Sequence, residues 1–139
     1  MALICDTGPL LAALDAADPD HERCARLLTG ADEDLVVPTL VLSELDYWCA
    51  RRLVPQAWLV FLDDVLSGVY RLESPTVADL VRCRELQHRY VDLALGVVDA
   101  SVIALAERLA EPKVATLDQR HFRAVRPAHV AALDLLPTI

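Results

Sequence analysis

Residues 3–11 read LICDTGPLL, an apolar run that is interrupted by a single carboxylate, Asp6. The stretch ALIC, residues 2–5, has the short apolar pattern of a buried strand. After it, Asp6 or Thr7 can cap a helix with the early proline Pro9, which we expect to run to about Ala16. The stretch therefore predicts a strand that turns directly into a helix, with Asp6 at the turn.

Strand-like and helix-like stretches alternate along the rest of the chain. Further strands are predicted at LVV before Pro38, VYRLE, KVAT and LDLLP. Further helices are predicted at DPDHERCARLLTG with Asp18 as cap, TLVLSELDYWCARR, PQAWLVFLDDVLSG, residues 74–90 with a Thr76-x-x-Asp79 capping pattern, and GVVDASVIALAERLA. The stretch DQRHFRAVRP is predicted to be a basic loop. Parallel strands need crossover connections, so this order predicts an α/β fold with a mostly parallel sheet covered on both faces.

Length and composition favour one domain that spans residues 1–139. A chain of 139 residues with 55% hydrophobic content has the usual size of a single compact unit. We find no secretion leader or membrane-spanning run, and the four cysteines, which form no CxxC pair, lie among apolar neighbours. These features predict a cytoplasmic protein with reduced core cysteines and no membrane association.

Two acids follow predicted strands directly. Asp6 comes after the first strand, and Asp118 comes one residue after KVAT. Sites in open parallel sheets form at the carboxyl ends of strands, so both carboxylates can lie at one edge. Taken alone, each also has an ordinary structural explanation, Asp6 as a helix cap and Asp118 as a turn residue.

Two more acids lie on predicted helices. Asp99 shares a helical face with Val102, Ile103 and Ala106, although a first-turn acid favoured by the helix dipole is an alternative explanation. Glu44 lies within LVLSELDYW, and a carboxylate buried among such neighbours is costly unless a cation or hydrogen bonds compensate it.

A divalent cation would explain these four acids together. If they converge, repulsion raises their pKa values unless an ion neutralises the cluster. Carboxylate oxygens suit Mg²⁺ or Mn²⁺, whereas zinc would ask for Cys or His ligands. Such a site can activate water for phosphodiester hydrolysis. Thr7 and Thr116 could orient a ligand or water, or serve only as β-branched residues at strand ends.

Five motifs, taken in order, are similar to those of the PIN-domain nucleases, and among them the VapC-type toxins of bacterial toxin-antitoxin pairs. They are DTGPLLA, LSELDY, GVVDASVIALA, ATLDQRHF and RAVRP, and they span nearly the whole chain. The resemblance implies a PIN-like three-layer α/β/α sandwich. It also implies Mg²⁺-dependent endoribonuclease activity against a structured RNA such as a transfer RNA or a ribosomal RNA loop, with Mn²⁺ as a possible substitute. A cognate VapB-type antitoxin that blocks the site and a homodimer are implied as well.

The resemblance also assigns residues. Asp6, Glu44, Asp99 and Asp118 match the family's acidic metal site. Asp92 is a further candidate at its rim, although a solvated loop residue is the favoured explanation. Gly8 departs from the family pattern, because many relatives carry a serine after the threonine or directly after the acid, so the resemblance does not extend to the hydroxyl contact that such a serine could make.

An acidic chain needs local positive charge to meet RNA, because the net charge is −8. We expect Arg120, His121 and Arg123, just after Asp118, to contact phosphate, although charge runs are more often solvated surface. The pair Arg51 and Arg52, which ends the Glu44 helix, is another basic group. The tryptophans at positions 48 and 58 could stack on bases, or serve the core or a dimer surface.

Three rival functions were weighed. An aspartyl-phosphate phosphatase would carry a DxD pattern at the first strand, where position 8 is Gly. A receiver module would carry adjacent acids there and a lysine after a late strand, whereas Lys113 precedes VAT. The third alternative is a catalytically inactive PIN-like binding module that acts through its antitoxin partner. The presence of the four acids shows a capacity for catalysis but does not show that catalysis occurs.

Overall fold

In the computed structural model, which describes residues 1–139, the ALIC stretch is the middle strand of a five-stranded sheet. The strands are β1 (Ala2–Cys5), β2 (Asp34–Pro38), β3 (Tyr70–Glu73), β4 (Lys113–Ala115) and β5 (Asp134–Leu136). Their spatial order is β3-β2-β1-β4-β5, and every pair is parallel. The prediction of a mostly parallel sheet is therefore confirmed, and all five strands run the same way.

Seven α-helices connect the strands. They are α1 (Thr7–Leu14), α2 (His21–Thr29), α3 (Thr39–Arg52), α4 (Pro55–Leu66), α5 (Val77–Arg89), α6 (Val97–Leu109) and α7 (Gln119–Ala124), with one 3-10 turn at Val91–Leu93. Crossovers between parallel strands are right-handed, so the face that a connecting helix covers depends on the direction in which the chain crosses the sheet. The chain crosses in one direction from β1 to β3 and in the other from β3 to β5, which puts α1–α4 and α5–α7 on opposite faces. The result is the expected three-layer α/β/α sandwich. None of the helices combines the length and apolar character needed to cross a bilayer.

The middle of the sheet carries the core. All four residues of β1 are buried, and α6 buries an unbroken run from Ala100 to Ala106 between the sheet and α5. The four cysteines are also buried and form no disulfide, which confirms that they are core residues. β1 is flanked by β2 on one side and β4 on the other, so the connections that follow β1 and precede β4 lie on opposite faces of the sheet, and the strand order switches between these two strands. Ligands bind at the carboxyl ends of strands at such a point.

Two sequence-based expectations about local structure were wrong. The second helix begins at His21, not at Pro19 after an Asp18 cap. Asp18 instead forms a turn ahead of the helix, in which its Oδ1 accepts from the Asp20 backbone N–H at 2.8 Å and its carbonyl accepts from the His21 N–H at 3.0 Å. The predicted basic loop contains a helix, α7, whose Gln119 and Phe122 are buried one turn apart. The Thr76–Asp79 capping box of α5 is confirmed in both of its hydrogen bonds.

Candidate metal centre

Asp6 lies at the carboxyl end of β1, beside the end of β4. Its backbone N–H donates to the Ala115 carbonyl at 2.9 Å, which continues the pairing of the two strands. Its side chain makes no capping hydrogen bond to α1. Instead, Oδ2 accepts from the Thr116 hydroxyl at 2.9 Å, while Oδ1 is buried without any partner. Asp6 is 5% exposed, so a role as a helix cap does not explain its burial.

The surroundings of Asp6 disfavour its charged form. Burial is the main cause that raises its pKa to about 7, and the carboxylates of Asp99 and Glu44 raise it further. The nearby Thr7 backbone N–H and the hydrogen bond from the Thr116 hydroxyl act in the opposite direction but do not restore the usual pKa. A buried carboxylate with this balance of interactions is one that a bound cation would stabilise.

Glu44 reaches the same edge from α3. Its Oε1 accepts a hydrogen bond from the hydroxyl of the buried Thr7, on α1. Glu44 itself is half-buried, so the burial expected from its apolar neighbours is only partial. The carboxylate lies between the core and the open side of the site because Thr7 holds it across the gap between the two helices.

Asp99, Asp118 and His121 form the most compact group of donor atoms. The His121 Nδ1 atom lies 2.8 Å from Asp118 Oδ2 and 3.5 Å from Asp99 Oδ2. One donor atom from each of the three residues falls within 4.8 Å of the others. Burial, followed by the charge of Asp118, raises the pKa of Asp99, whereas His121 lowers it. Asp118 differs from the other acids in being half exposed, at 50% of its side chain.

The position of His121 was missed from the sequence. We expected it to contact phosphate and did not count it among the metal ligands, but its buried Nδ1 atom lies 2.8 Å from Asp118 Oδ2 and 3.5 Å from Asp99 Oδ2. The signal that could have found it is the spacing of Asp118 and His121, three residues apart at the start of a short helix.

All four predicted acids line one cavity of about 510 Å³. They come from four separate parts of the fold: the end of β1, the middle of α3, the first turn of α6 and the loop after β4. The donor set fits a divalent cation, because the buried Asp6 Oδ1 has no protein partner and the other donors are carboxylates and one imidazole. A cation bound there would lower the pKa of a bound water and stabilise negative charge on a phosphodiester.

Other predicted residues lie outside this cavity. Asp92 is exposed on the 3-10 turn and does not line it. Arg120 is exposed on α7. Arg123 donates to the Gln119 side chain at 2.8 Å, so it is engaged within its own helix.

Gly8 has a packing explanation. A Cβ atom at this position would lie 3.2 Å from Leu117 Cβ, closer than ordinary van der Waals contact. Both residues line the cavity, so α1 and the β4–α7 loop approach each other closely at the site. A larger side chain there would have to push Leu117 away.

The comparison with known proteins decides the family. The PIN domain family model matches residues 3–127. The chain belongs to the PIN-domain family. It is 34% identical over 135 residues to Ribonuclease VapC26 of Mycobacterium tuberculosis, an alignment that covers 97% of this chain and 100% of the relative. The expected resemblance to VapC-type PIN domains is therefore confirmed.

Solved structures show the same PIN fold. VapC20 of M. tuberculosis, described as a sarcin-ricin loop cleaving toxin, superposes with a TM-score of 0.81 at 22% identity over 92% of this chain and 98% of that chain. The Rickettsia felis VapBC2 structure, bound to a promoter DNA fragment, gives a TM-score of 0.70 at 16% identity over 99% of this chain and 100% of that chain. At these identities the likeness concerns the fold of the PIN domain.

Proposed function

We propose that this PIN domain, residues 1–139, is a VapC-type, Mg²⁺-dependent endoribonuclease that cuts a structured RNA such as a transfer RNA or a ribosomal RNA loop. Mn²⁺ would be a substitute ion. The observation that carries the proposal is the convergence of four carboxylates from four elements on one cavity, with the buried Asp6 Oδ1 unpartnered. Homology to Ribonuclease VapC26 supports the same reaction.

In this proposal the four acids, Asp6, Glu44, Asp99 and Asp118, hold the cation and orient the attacking water. Thr116 and Thr7 are positioning residues, since their hydroxyls donate to Asp6 and Glu44 respectively. His121 lies close enough to Asp99 and Asp118 to complete the donor set.

We also propose that a VapB-type antitoxin neutralises the enzyme, that the chain forms a homodimer, and that it acts in the cytoplasm. Support for the antitoxin comes from relatives of the same fold that were solved as VapBC complexes, including those of R. felis and Salmonella typhimurium.

The first test is cleavage of total bacterial RNA by the purified chain, freed of any antitoxin, in Mg²⁺, in Mn²⁺ and in EDTA. Asp6→Asn is the control variant, provided that its circular dichroism matches the wild type. Discrete fragments that need metal and disappear in the variant are expected, and mapping their ends identifies the bond. Absence of cleavage by folded, metal-bound protein would instead favour the inactive binding module.

A further inference from the structure

One side of α3 extends the acidic cavity toward the end of the helix. Glu44, Trp48 and Arg52 are spaced four residues apart, so they lie on one face, and all three line the cavity. From Glu44 to Arg52 the helix advances about 12 Å, at about 1.5 Å per residue. The cavity therefore has an acidic end and, beyond it, an aromatic ring followed by a guanidinium.

Trp48 is available to a ligand. Its side chain is 38% exposed, although other residues of the same helix, α3, are buried in the core. The Tyr47 ring packs edge-on against it, at 84° and 5.1 Å between centroids. Trp58, by contrast, stacks on the buried Phe61 and packs against the core. Only the first of the two tryptophans lies at the site.

Arg52 has a weak internal partner. Its guanidinium lies 4.0 Å from Asp18 Oδ2, at the limit of an ion pair, and its side chain is 53% exposed. Asp18 also lines the cavity. The neighbouring Arg51 lies over the Tyr47 ring instead, 4.7 Å from its centroid, and is not part of the cavity wall. Of these two arginines, only Arg52 lines the cavity that holds the acids.

We propose that Trp48 and Arg52 form a nucleotide subsite beside the metal centre, which selects RNA with an unpaired nucleotide next to the cleaved bond. The indole stacks on that base, and the guanidinium leaves Asp18 to bind a flanking phosphate. This inference rests on the proposed nuclease function and names the feature of the RNA that the site accepts. It also explains how an acidic chain holds RNA, since the positive charge lies at the far end of the same cavity.

The test uses fluorescence of Trp48 in a Trp58→Phe background, where it is the only tryptophan. A short oligoadenylate is titrated in Ca²⁺, which suits oxygen ligands, and a gel checks that the probe stays intact. An abasic ribose-phosphate oligomer of the same length is the control ligand. We expect oligoadenylate to quench Trp48 fluorescence and the abasic oligomer to leave it unchanged. Absence of quenching by oligoadenylate would overturn the subsite.

Matched variants separate the two contacts, each measured by anisotropy of a labelled oligoadenylate and by unfolding temperature. Trp48→Ala should weaken binding by about 5- to 100-fold and Trp48→Phe much less, because the aromatic face is retained. Arg52→Ala should weaken oligoadenylate binding several-fold and lower the slope of log affinity against log salt concentration by about one. Arg51→Ala should leave the affinity and this slope near the wild-type values. Asp18→Asn should strengthen binding, because it frees Arg52 and retains an acceptor for the Asp20 N–H. Equal losses in Arg51→Ala and Arg52→Ala would contradict the assignment of Arg52.

The readout separates this inference from the proposed function. If total RNA is cut with metal but Trp48 is not quenched and Trp48→Ala keeps the wild-type kcat/KM, the nuclease stands and the subsite is wrong. If Trp48 is quenched but no RNA is cut, the subsite stands and the catalytic proposal fails.

Discussion

The Thr116 hydroxyl donates to Asp6 Oδ2 at 2.9 Å, a contact between residues 110 positions apart in the chain. Thr116 Oγ1 also accepts from the Asp118 backbone N–H at 3.1 Å. One hydroxyl therefore ties the ends of β1 and β4 together and orients two of the four acids. It satisfies one oxygen of Asp6, whereas the other, Oδ1, is buried without a partner in a residue that lines the cavity.

Replacing Thr116 with valine should damage both stability and metal binding. The change keeps the shape of the side chain but leaves a buried carboxylate without its donor, which costs about 1–3 kcal/mol of unfolding free energy. Thr116→Ser retains the hydroxyl and should bind Mn²⁺ nearly as the wild type does. Urea unfolding and calorimetric Mn²⁺ titration measure both effects. Equal Mn²⁺ affinity in the two variants would show that the hydroxyl does not orient the site.

Asp6→Asn should stabilise the metal-free protein in a pH-dependent way. The unfolded carboxyl ionises near 3.8, but the folded one ionises near 7, so the native state binds more protons between these values. Wild-type stability therefore falls as pH rises through this window, and the variant lacks this loss. At pH values above the upper pKa, the free energy of unfolding of the variant should exceed that of the wild type by on the order of a few kcal/mol.

Denaturant unfolding after chelation, at pH values near 4 and near 8, measures this advantage. In saturating Mg²⁺ the order should reverse, because the ion stabilises only the charged Asp6. An advantage of the variant that is the same at both pH values would contradict the raised pKa.

Arg120 and Arg123 should differ in what they contribute, although replacing both should weaken RNA cleavage. Arg120→Ala should lower the cleavage rate at sub-saturating RNA and leave the unfolding temperature unchanged. The slope of log RNA affinity against log salt concentration should become smaller by about one. Arg123→Ala should also lower stability slightly, because Arg123 donates to Gln119, whose amide donates to the Thr116 and Pro137 carbonyls. Unchanged cleavage by the double variant would remove α7 from the RNA-binding surface.

The sheet and its acidic edge could be predicted because their signals are local. Each central strand is a short apolar run, and in β1 both faces are buried, so no alternation obscures the pattern. Asp6 follows β1 directly and Asp118 lies in the loop just after β4, and parallel strands bring such residues together. The Thr76–Asp79 capping box was equally readable, since its hydrogen bonds span three residues.

The parts that failed depend on tertiary contacts. α7 is six residues long and mostly polar, and only its docking through Gln119 and Phe122 reveals it as a helix. Glu44 has apolar neighbours along α3, but whether it is enclosed depends on how α1 packs across from it, which no spacing in the sequence encodes. The position of His121 next to Asp99 likewise requires α6 and α7 to be placed first.

His121→Ala should weaken Mn²⁺ binding more than Mg²⁺ binding. The imidazole Nδ1 lies 2.8 Å from Asp118 Oδ2, and nitrogen ligands favour transition metals over magnesium. His88→Ala is the matched control, because His88 is exposed on α5, away from the cavity. Calorimetric titration with each metal gives the comparison, and cleavage in each metal should follow the same order. If both affinities stay at the wild-type level while RNA affinity falls, His121 contacts phosphate, as the sequence first indicated, and does not ligate the ion.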